Sequence, residues 1–397
     1  MVHHSPKTER RSDVLVIGGG PSGLCVAGRL AEAGLDVRVL ERKPAIGRNV
    51  VCTGIVGLDV FGKFGLDPGP VIQEIRDVRL VSPFGTIVSY RHPRPFACVV
   101  DRERFDARMA ENAVAAGAAL SLGIRVDSIT VEPAGVRVAA RENGGGTVHY
   151  AAAVAIIASG VDPGLARRAG LGYPRRFLKG AQAEVPLRQG EPTTIFIGRD
   201  VAPGAFAWSV PAGDKARVGL LAKTDARALL ARHMKANGLP EGAAIRTRAV
   251  AQGLVSRTTG DRVLSVGEAA GQIKTTTGGG ISYGLLCADL AAEAVLSSFE
   301  RSSFGAAALA GYEAGWRNAL QQEIVIGHFA RRLCARLSDG QVEGLFHLAQ
   351  TDGIIPIIRE TADFDWHSGL IFALLERLSF MKHFRGLKDS IGRESLS

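Results

Sequence analysis

The sequence predicts an α/β fold: a parallel, doubly wound unit assembled from three separated stretches, an antiparallel sheet inserted between two of them, and helices in the C-terminal part. Three observations predict it. Short continuous apolar runs at 14–17, 152–158 and 262–267 have the texture of parallel strands buried on both faces. Residues 171–255 carry short alternating strands (193–197 and 216–221) between Pro and Gly breaks, the texture of an antiparallel sheet. From Ser302 onward the pattern is helical. The expected organisation is a parallel unit made of 12–77, 101–170 and 256–300, a short insertion at 78–100, the antiparallel sheet at 171–255 and a helical region at 301–397.

The first stretch reads strand, glycine turn, helix, strand. Val14-Leu15-Val16-Ile17 leads into Gly18, Gly20 and Gly23, which match G-x-G-x-x-G. The first glycine allows the tight turn, the second lets a pyrophosphate approach the backbone, and the third lets the helix pack close to the strand. The helix that opens at Pro21 and Ser22 aims its free N–H groups and positive dipole end at that phosphate position. Gly34 ends the helix and Val37 to Leu40 form the next buried strand. Glu41 closes that strand where a carboxylate can bind ribose hydroxyls. With strand, helix and acid all in place, the motif is that of a dinucleotide-binding, Rossmann-like unit. Arg42 joins the expected cofactor contacts.

Composition bounds the rest. A chain of 397 residues with 46% apolar residues can bury a large core and excludes global disorder. The formal charge of +9 fits a basic cleft for a phosphorylated ligand or attraction to an anionic surface. No lysine-arginine tract with interleaved aromatics occurs, so nucleic-acid binding is not expected. The cysteines, Cys25, Cys52, Cys98, Cys287 and Cys334, are scattered; they imply neither a metal site nor a disulfide framework and suit a reducing cytoplasm. With no secretory h-region and no run of about 18 apolar residues, neither a signal peptide nor a transmembrane helix is expected. Segment 369–388 mixes Leu, Ile and Phe with Lys and Arg. It reads either as a helix packed on its own domain or as one lying on an anionic bilayer.

The second stretch of the parallel unit opens at Asp101 with a helix that carries Arg102 at its start. Residues 126–131 and 136–140 suggest a hairpin, and Ser159-Gly160 a turn into a basic helix start around Arg167 and Arg168. The third stretch narrows the cofactor. Its strand ends in Gly267-Glu268-Ala269-Ala270-Gly271, a polar loop follows, and Gly278, Gly279 and Gly280 precede a helix from Ile281 to Ser297. A nicotinamide dinucleotide does not need this second clamp. FAD does, because its ribityl chain must be held between adenine and flavin. An acid after the strand accepts hydroxyl bonds, and the glycines let the backbone approach the isoalloxazine ring. The helix that begins at Ile281 aims its positive end at the N1–C2=O edge of the ring.

On these residues the chain resembles the FAD oxidoreductases of the p-hydroxybenzoate hydroxylase fold, over most of residues 12–300. Glu268 stands where that group commonly has Asp, and Ser159-Gly160 where it has Asp-Gly. Arg102 matches an arginine near its flavin, although the same residue also suits a solvated helix start. Residues 203–211, Pro-Gly-Ala-Phe-Ala-Trp-Ser-Val-Pro, resemble the P-x-x-Y-x-W-x-F-P motif of geranylgeranyl reductases, with Phe206 for Tyr and Val210 for Phe. The resemblance implies that Phe206, Trp208 and Pro211 line an apolar slot for an isoprenoid chain beside the flavin; flat aromatic faces and prolines suit such a slot. The same residues also suit a tryptophan buried in a sheet core. Cys52, two residues before Gly54, matches by position a cysteine that this family carries near the reactive face of the flavin. There it would gate the flavin or relay a proton, although a free cysteine also suits plain core packing. Tyr312, Trp316 and Arg317 resemble the family phrase that seats its helical cap. Asp363-Phe364-Asp365-Trp366-His367 has no assigned role, with His367 either a ligand contact or a structural histidine.

The resemblance therefore implies an FAD-dependent reductase that saturates C=C bonds of an isoprenoid or other apolar chain, with NADPH or a ferredoxin-type carrier as electron donor. Its expected place is the cytoplasm, with a peripheral membrane contact left open by 369–388. Rival readings are a flavin monooxygenase, a flavin-dependent halogenase and a non-catalytic electron-carrying flavoprotein. The 206–211 segment also resembles the halogenase motif W-x-W-x-I-P. Halogenation needs a lysine near the channel mouth, and 73–104 contains none.

Overall fold

The computed structural model describes residues 9–188, 190–351 and 354–379. Its parallel sheet runs in the order Thr259–Gly260, Val263–Ser265, Val154–Ile157, Val14–Ile17, Val37–Glu41, Ala119–Leu122, and only the first pair is antiparallel. The central strands, VLVI and VAII, are buried along their whole length because both sheet faces are covered. Val14 and Val16 face the helices Pro21–Glu32 and Ile281–Glu300. Leu15 and Ile17, on the opposite face, meet an antiparallel meander of Ile124–Glu132, Gly135–Glu142 and Thr147–Ala152. The hairpin read at 126–131 and 136–140 is the first turn of this meander. Arg167 and Arg168 end their helix, Pro163–Arg168, rather than open it. Asp162 caps its start by accepting from Gly164 N at 2.9 Å, and cations suit the last turn.

The second sheet has the order Arg246–Gln252, Arg176–Pro186, Lys215–Ala222, Ala207–Ala212, Thr193–Phe196, Asp77–Val81, Ile87–Arg91. The stretch 78–100, read as a short insertion, is built into this sheet: Asp77–Val81 pairs in parallel with Thr193–Phe196 and antiparallel with Ile87–Arg91. Helix Ala226–Ala236 covers the back of the sheet, packing Leu229, Leu230 and Met234 on Ala181, Val218 and Leu220. The front looks towards the parallel unit, and a small sheet of Ile55–Gly57, Ala97–Val100 and Val71–Ile75 lies between them.

The described C-terminal region is helical: Ala306–Cys334, Asp339–Thr351, Ile354–Thr361 and Ser368–Ser379. The long first helix docks through the Tyr312, Trp316, Arg317 phrase. Tyr312 OH donates to Ser265 O at 2.7 Å, Trp316 Nε1 donates to Thr258 Oγ1 at 2.8 Å, and Arg317 reaches the carbonyls of Val255 and Ser256. Ile281–Glu300 is long and apolar enough to cross a membrane by length and composition, but half of that span is buried against neighbouring helices, as in a core helix. Ser368–Ser379 packs on Ala306–Cys334 and Ile354–Thr361; the remainder of 369–388 lies outside the described residues.

Candidate active site

A cavity of about 1090 Å³ is lined by both sheets. The glycine loop, Glu41 and Arg42 form one end; Cys52, Arg102, Glu268 and Gly278 to Ile281 lie between; Trp208 and Val210 are on the antiparallel sheet, with Phe206 just before their strand.

At the first end, a Cβ on Gly23 would fall 2.0 Å from Gly18 O, so glycine lets the helix sit directly on the strand turn. A Cβ on Gly20 would meet nothing within 4 Å. Gly20 N-caps Pro21–Glu32 without a side-chain cap, leaving N–H groups available to an anion. Glu41 accepts from Gly19 N at 2.7 Å and from Lys43 N at 2.9 Å, which fixes the carboxylate while leaving lone pairs for hydroxyl donors. Pro21, Ser22 and Arg42 also line the wall. Gly267, expected among the cofactor contacts, lies off it. At φ +69° it turns the chain and makes room for Ser22, whose Oγ would be 2.6 Å from a Cβ there.

At the middle, Gly278, Gly279 and Gly280 line the wall before Ile281–Glu300, a helix with no side-chain N-cap. Glu268 is ion-paired with Arg248 through Oε2, while its Oε1 is buried and has no partner among the described residues. A buried carboxylate oxygen without a donor is costly, and a ligand hydroxyl would satisfy it. The orphan oxygen, the open space at Gly20 and two uncapped helix starts fit FAD lying along this wall.

Cys52 also lines the cavity. Burial by itself would push its thiol up, but Arg102, the Gly54 N–H at 3.3 Å and Arg248 together bring it below the ordinary 9.0. Burial works against the charge of Arg102 too, yet Asp106 and Cys52 outweigh it and hold the guanidinium protonated. The Cys52 loop is fastened from the antiparallel sheet. Gln182 Nε2 donates to Cys52 O at 3.1 Å, Arg248 Nη1 to Val51 O at 3.2 Å, and buried Arg217 to Thr53 O at 2.7 Å and Val100 O at 3.1 Å. Gln182, Arg217 and Arg248 escaped the sequence reading, although polar residues within apolar alternating strands such as GAQAEV and KARVGLLA are a usable signal.

On the antiparallel sheet the period of two places Trp208 and Val210 on the cavity face. Pro211, expected to line the slot, falls on the other face, opposite Ala216 in the helix-covered core. Phe206 and Trp208 rings lie 5.9 Å apart. A Cβ on Gly219 would come within 2.4 Å of Trp208 Cζ2, so this glycine lets the indole lie flat on its neighbouring strand. Ile195, Leu80 and Val78 continue the apolar wall to the Asp77–Val81 edge. Trp208 Nε1, Gln182 Oε1 and Tyr90 OH are buried without partners among the described residues. The Asp363 to His367 segment closes another side, with Phe364 at 6.0 Å from Phe96. His367 Nε2 lies 3.0 Å from Phe364 O, burial and Lys274 pull its basicity down, and the residue also lines the cavity.

A family model described as an FAD-binding domain matches residues 11–174. The digeranylgeranylglycerophospholipid reductase 2 of Methanothermobacter thermautotrophicus is 31% identical over 348 residues, covering 84% of this chain and 90% of that protein. The chain belongs to this reductase family. It is an FAD-dependent oxidoreductase with the fold of the geranylgeranyl reductases. A solved geranylgeranyl bacteriochlorophyll reductase-like protein from Thermoplasma acidophilum is similar at TM-score 0.83 and 22% identity, over 96% of this chain and 100% of that one. The p-nitrophenol 4-monooxygenase of Pseudomonas putida shares the fold at TM-score 0.72 and 18% identity, over 89% of this chain and 97% of that one. The reductase family and oxygen-using enzymes thus draw on one architecture, and the lining of the cavity must separate their chemistries.

Proposed function

We propose that the chain saturates carbon–carbon double bonds in an isoprenoid chain, as the names of its relatives suggest for theirs. The observation that carries this reading is the continuity of one cavity from the dinucleotide loop, past Cys52, to an apolar wall of Phe206, Trp208, Val210 and Ile195. When bound, FAD reduced by an external donor would supply the hydride for one alkene carbon. Gly20, Glu41, Glu268 and the 278–280 glycines would hold the cofactor, with Arg102 on the same cavity wall as Cys52. The aromatic wall aligns the double bond and excludes water, which matters because an unactivated alkene offers little charge to recognise. Cys52, made more acidic than an ordinary thiol, holds the proton for the other carbon. NADPH or a ferredoxin-type carrier serves as donor, and the enzyme works in the cytoplasm at a membrane surface where a lipid tail can enter.

The test is anaerobic. FAD on the protein is reduced chemically and mixed with a geranylgeranyl lipid, and the return of oxidised-flavin absorbance is followed. Reoxidation by the lipid without oxygen, with a saturated product by mass, is expected. Reoxidation only on admitting oxygen would support the monooxygenase reading instead.

A further inference from the structure

Lys274 lies in the polar loop between Glu268 and the glycine triplet, and its side chain is only 6% exposed. Its Nζ donates to Asp365 Oδ1 at 2.6 Å and to Phe364 O at 3.2 Å, and it lies 4.2 Å from the Phe364 ring centroid. Asp365 Oδ1 also accepts from Ser282 Oγ at 2.7 Å, in the first turn of Ile281–Glu300. The lysine backbone is bound into the triplet itself: its N–H donates to Gly279 O and its C=O accepts from Gly278 N, both at 2.8 Å. A Cβ on Gly279 would come within 2.9 Å of Lys274 Cε, so the lysine stem rests on that glycine. Lys274, Asp365, Ser282 and the triplet all line the same cavity.

We propose that the Lys274–Asp365 pair sets the electrostatic balance at the flavin-facing wall and so controls how readily bound FAD is reduced. This rests on the triplet being the flavin site. Reduced flavin gains negative charge at the edge towards which the triplet helix points. A cation at that wall favours the reduced form and an anion disfavours it, and a water-poor pocket screens neither well. In the pair the two charges offset each other. Of the neighbouring charges, Glu323 accepts from the His367 and Ser368 N–H groups, and Asp363 from those of Asp365 and Trp366. Asp59 faces Asp365 across Gly57, where a Cβ would meet Asp59 Oδ1 at 2.7 Å and Asp365 Oδ2 at 2.8 Å, and it is common to every variant compared. Lys63 lies over the Trp366 ring at 6.0 Å. Lys274 and Asp365 are positioning residues in this scheme, acting on the flavin through charge.

The experiment compares holoprotein carrying Lys274→Met, Asp365→Asn, both, or Lys274→Arg by anaerobic equilibration with a redox dye, without isoprenoid. Lys274→Met should lower the reduced-to-oxidised ratio of the flavin at a fixed dye potential about tenfold, or about 30 mV for a two-electron couple. Asp365→Asn should raise it by a similar factor. The double variant should return close to wild type, and Lys274→Arg should hold the wild-type value. A packing role alone would not produce shifts of opposite sign. Shifts in the same direction, or none, would overturn the proposal. If Lys274→Met fails to retain FAD, the sign for Asp365→Asn decides: a rise supports the proposal, and a fall or no change overturns it. The titration contains no isoprenoid, so failure of the substrate reading would leave its outcome intact.

Discussion

Replacing Arg102 by methionine removes a buried cation while keeping much of its packing volume. Arg102 Nε donates to Asp106 Oδ1 at 3.0 Å and Nη2 to Oδ2 at 2.9 Å, with side chains 12% and 4% exposed. Removing one partner strands the other charge in a poorly solvated place, which costs about 3–5 kcal/mol. The second effect falls on Cys52. Burial pushes that thiol up, and Arg102 leads the influences that bring it below 9.0, so the variant's Cys52 ionises at higher pH. Three of the other thiols make a quiet background, since burial pushes Cys25 and Cys98 up to about 12 and raises Cys287; the exposed Cys334 is present in the blank and is subtracted with it. Iodoacetamide alkylation of the apoprotein from neutral to mildly alkaline pH therefore reports on Cys52, with Cys52→Ala as the blank. Two outcomes are expected for Arg102→Met: a lower denaturation midpoint, and an alkylation profile displaced to higher pH. Adding Asp106→Leu should recover much of the stability, because the stranded charge is gone, but should not restore the profile. An unchanged profile in Arg102→Met would refute the claim that Arg102 activates Cys52. An unchanged midpoint would refute the energetic argument for the pair.

Three further outcomes follow from the geometry. Gly20→Ala should change apoprotein stability by less than about 0.5 kcal/mol yet weaken FAD binding measured by flavin fluorescence. Gly23→Ala, whose methyl meets Gly18 O at 2.0 Å, should instead destabilise the apoprotein by about 1–3 kcal/mol in denaturant titrations; equal behaviour of the two variants would contradict this division. Gly219→Ala should tilt Trp208, which its Cβ would approach within 2.4 Å. It should then lower affinity for a prenyl compound while FAD affinity holds, and a parallel loss of both would count against a separate apolar wall. Burial, with Arg331, Arg176 and Arg332, pulls His328 down from 6.5 to about 4. Its folded value lies below its unfolded one, so its contribution is fully present above pH 6.5 and is lost as pH falls towards about 4. His328→Gln should flatten that part of the stability–pH curve, and an unaltered slope would exclude this histidine as a cause.

The dinucleotide end of the site was legible because its determinants are contiguous. Val14 to Glu41 form one strand–turn–helix–strand unit whose glycine spacing, apolar run and closing acid are local constraints. The same holds for Glu268 and the 278–280 triplet, which share one loop. The face of Pro211 was settled only by the register of Ala207–Ala212 against Lys215–Ala222, since motif resemblance does not say which side of a strand looks into the cavity.

By itself, then, the sequence determined the parallel unit and its glycine turns, which are written in short-range periodicity and glycine placement; the aromatic wall entered it only through a motif resemblance. The tertiary structure alone decided that Asp77–Val81 joins Thr193–Phe196 and extends that wall. It also decided that Arg102 and Arg248 acidify Cys52, and that Lys274 meets Asp365. Each of these depends on residues far apart in the chain that only packing brings together. Charge and hydrogen bonding act over a few ångströms of space, whatever the separation in sequence.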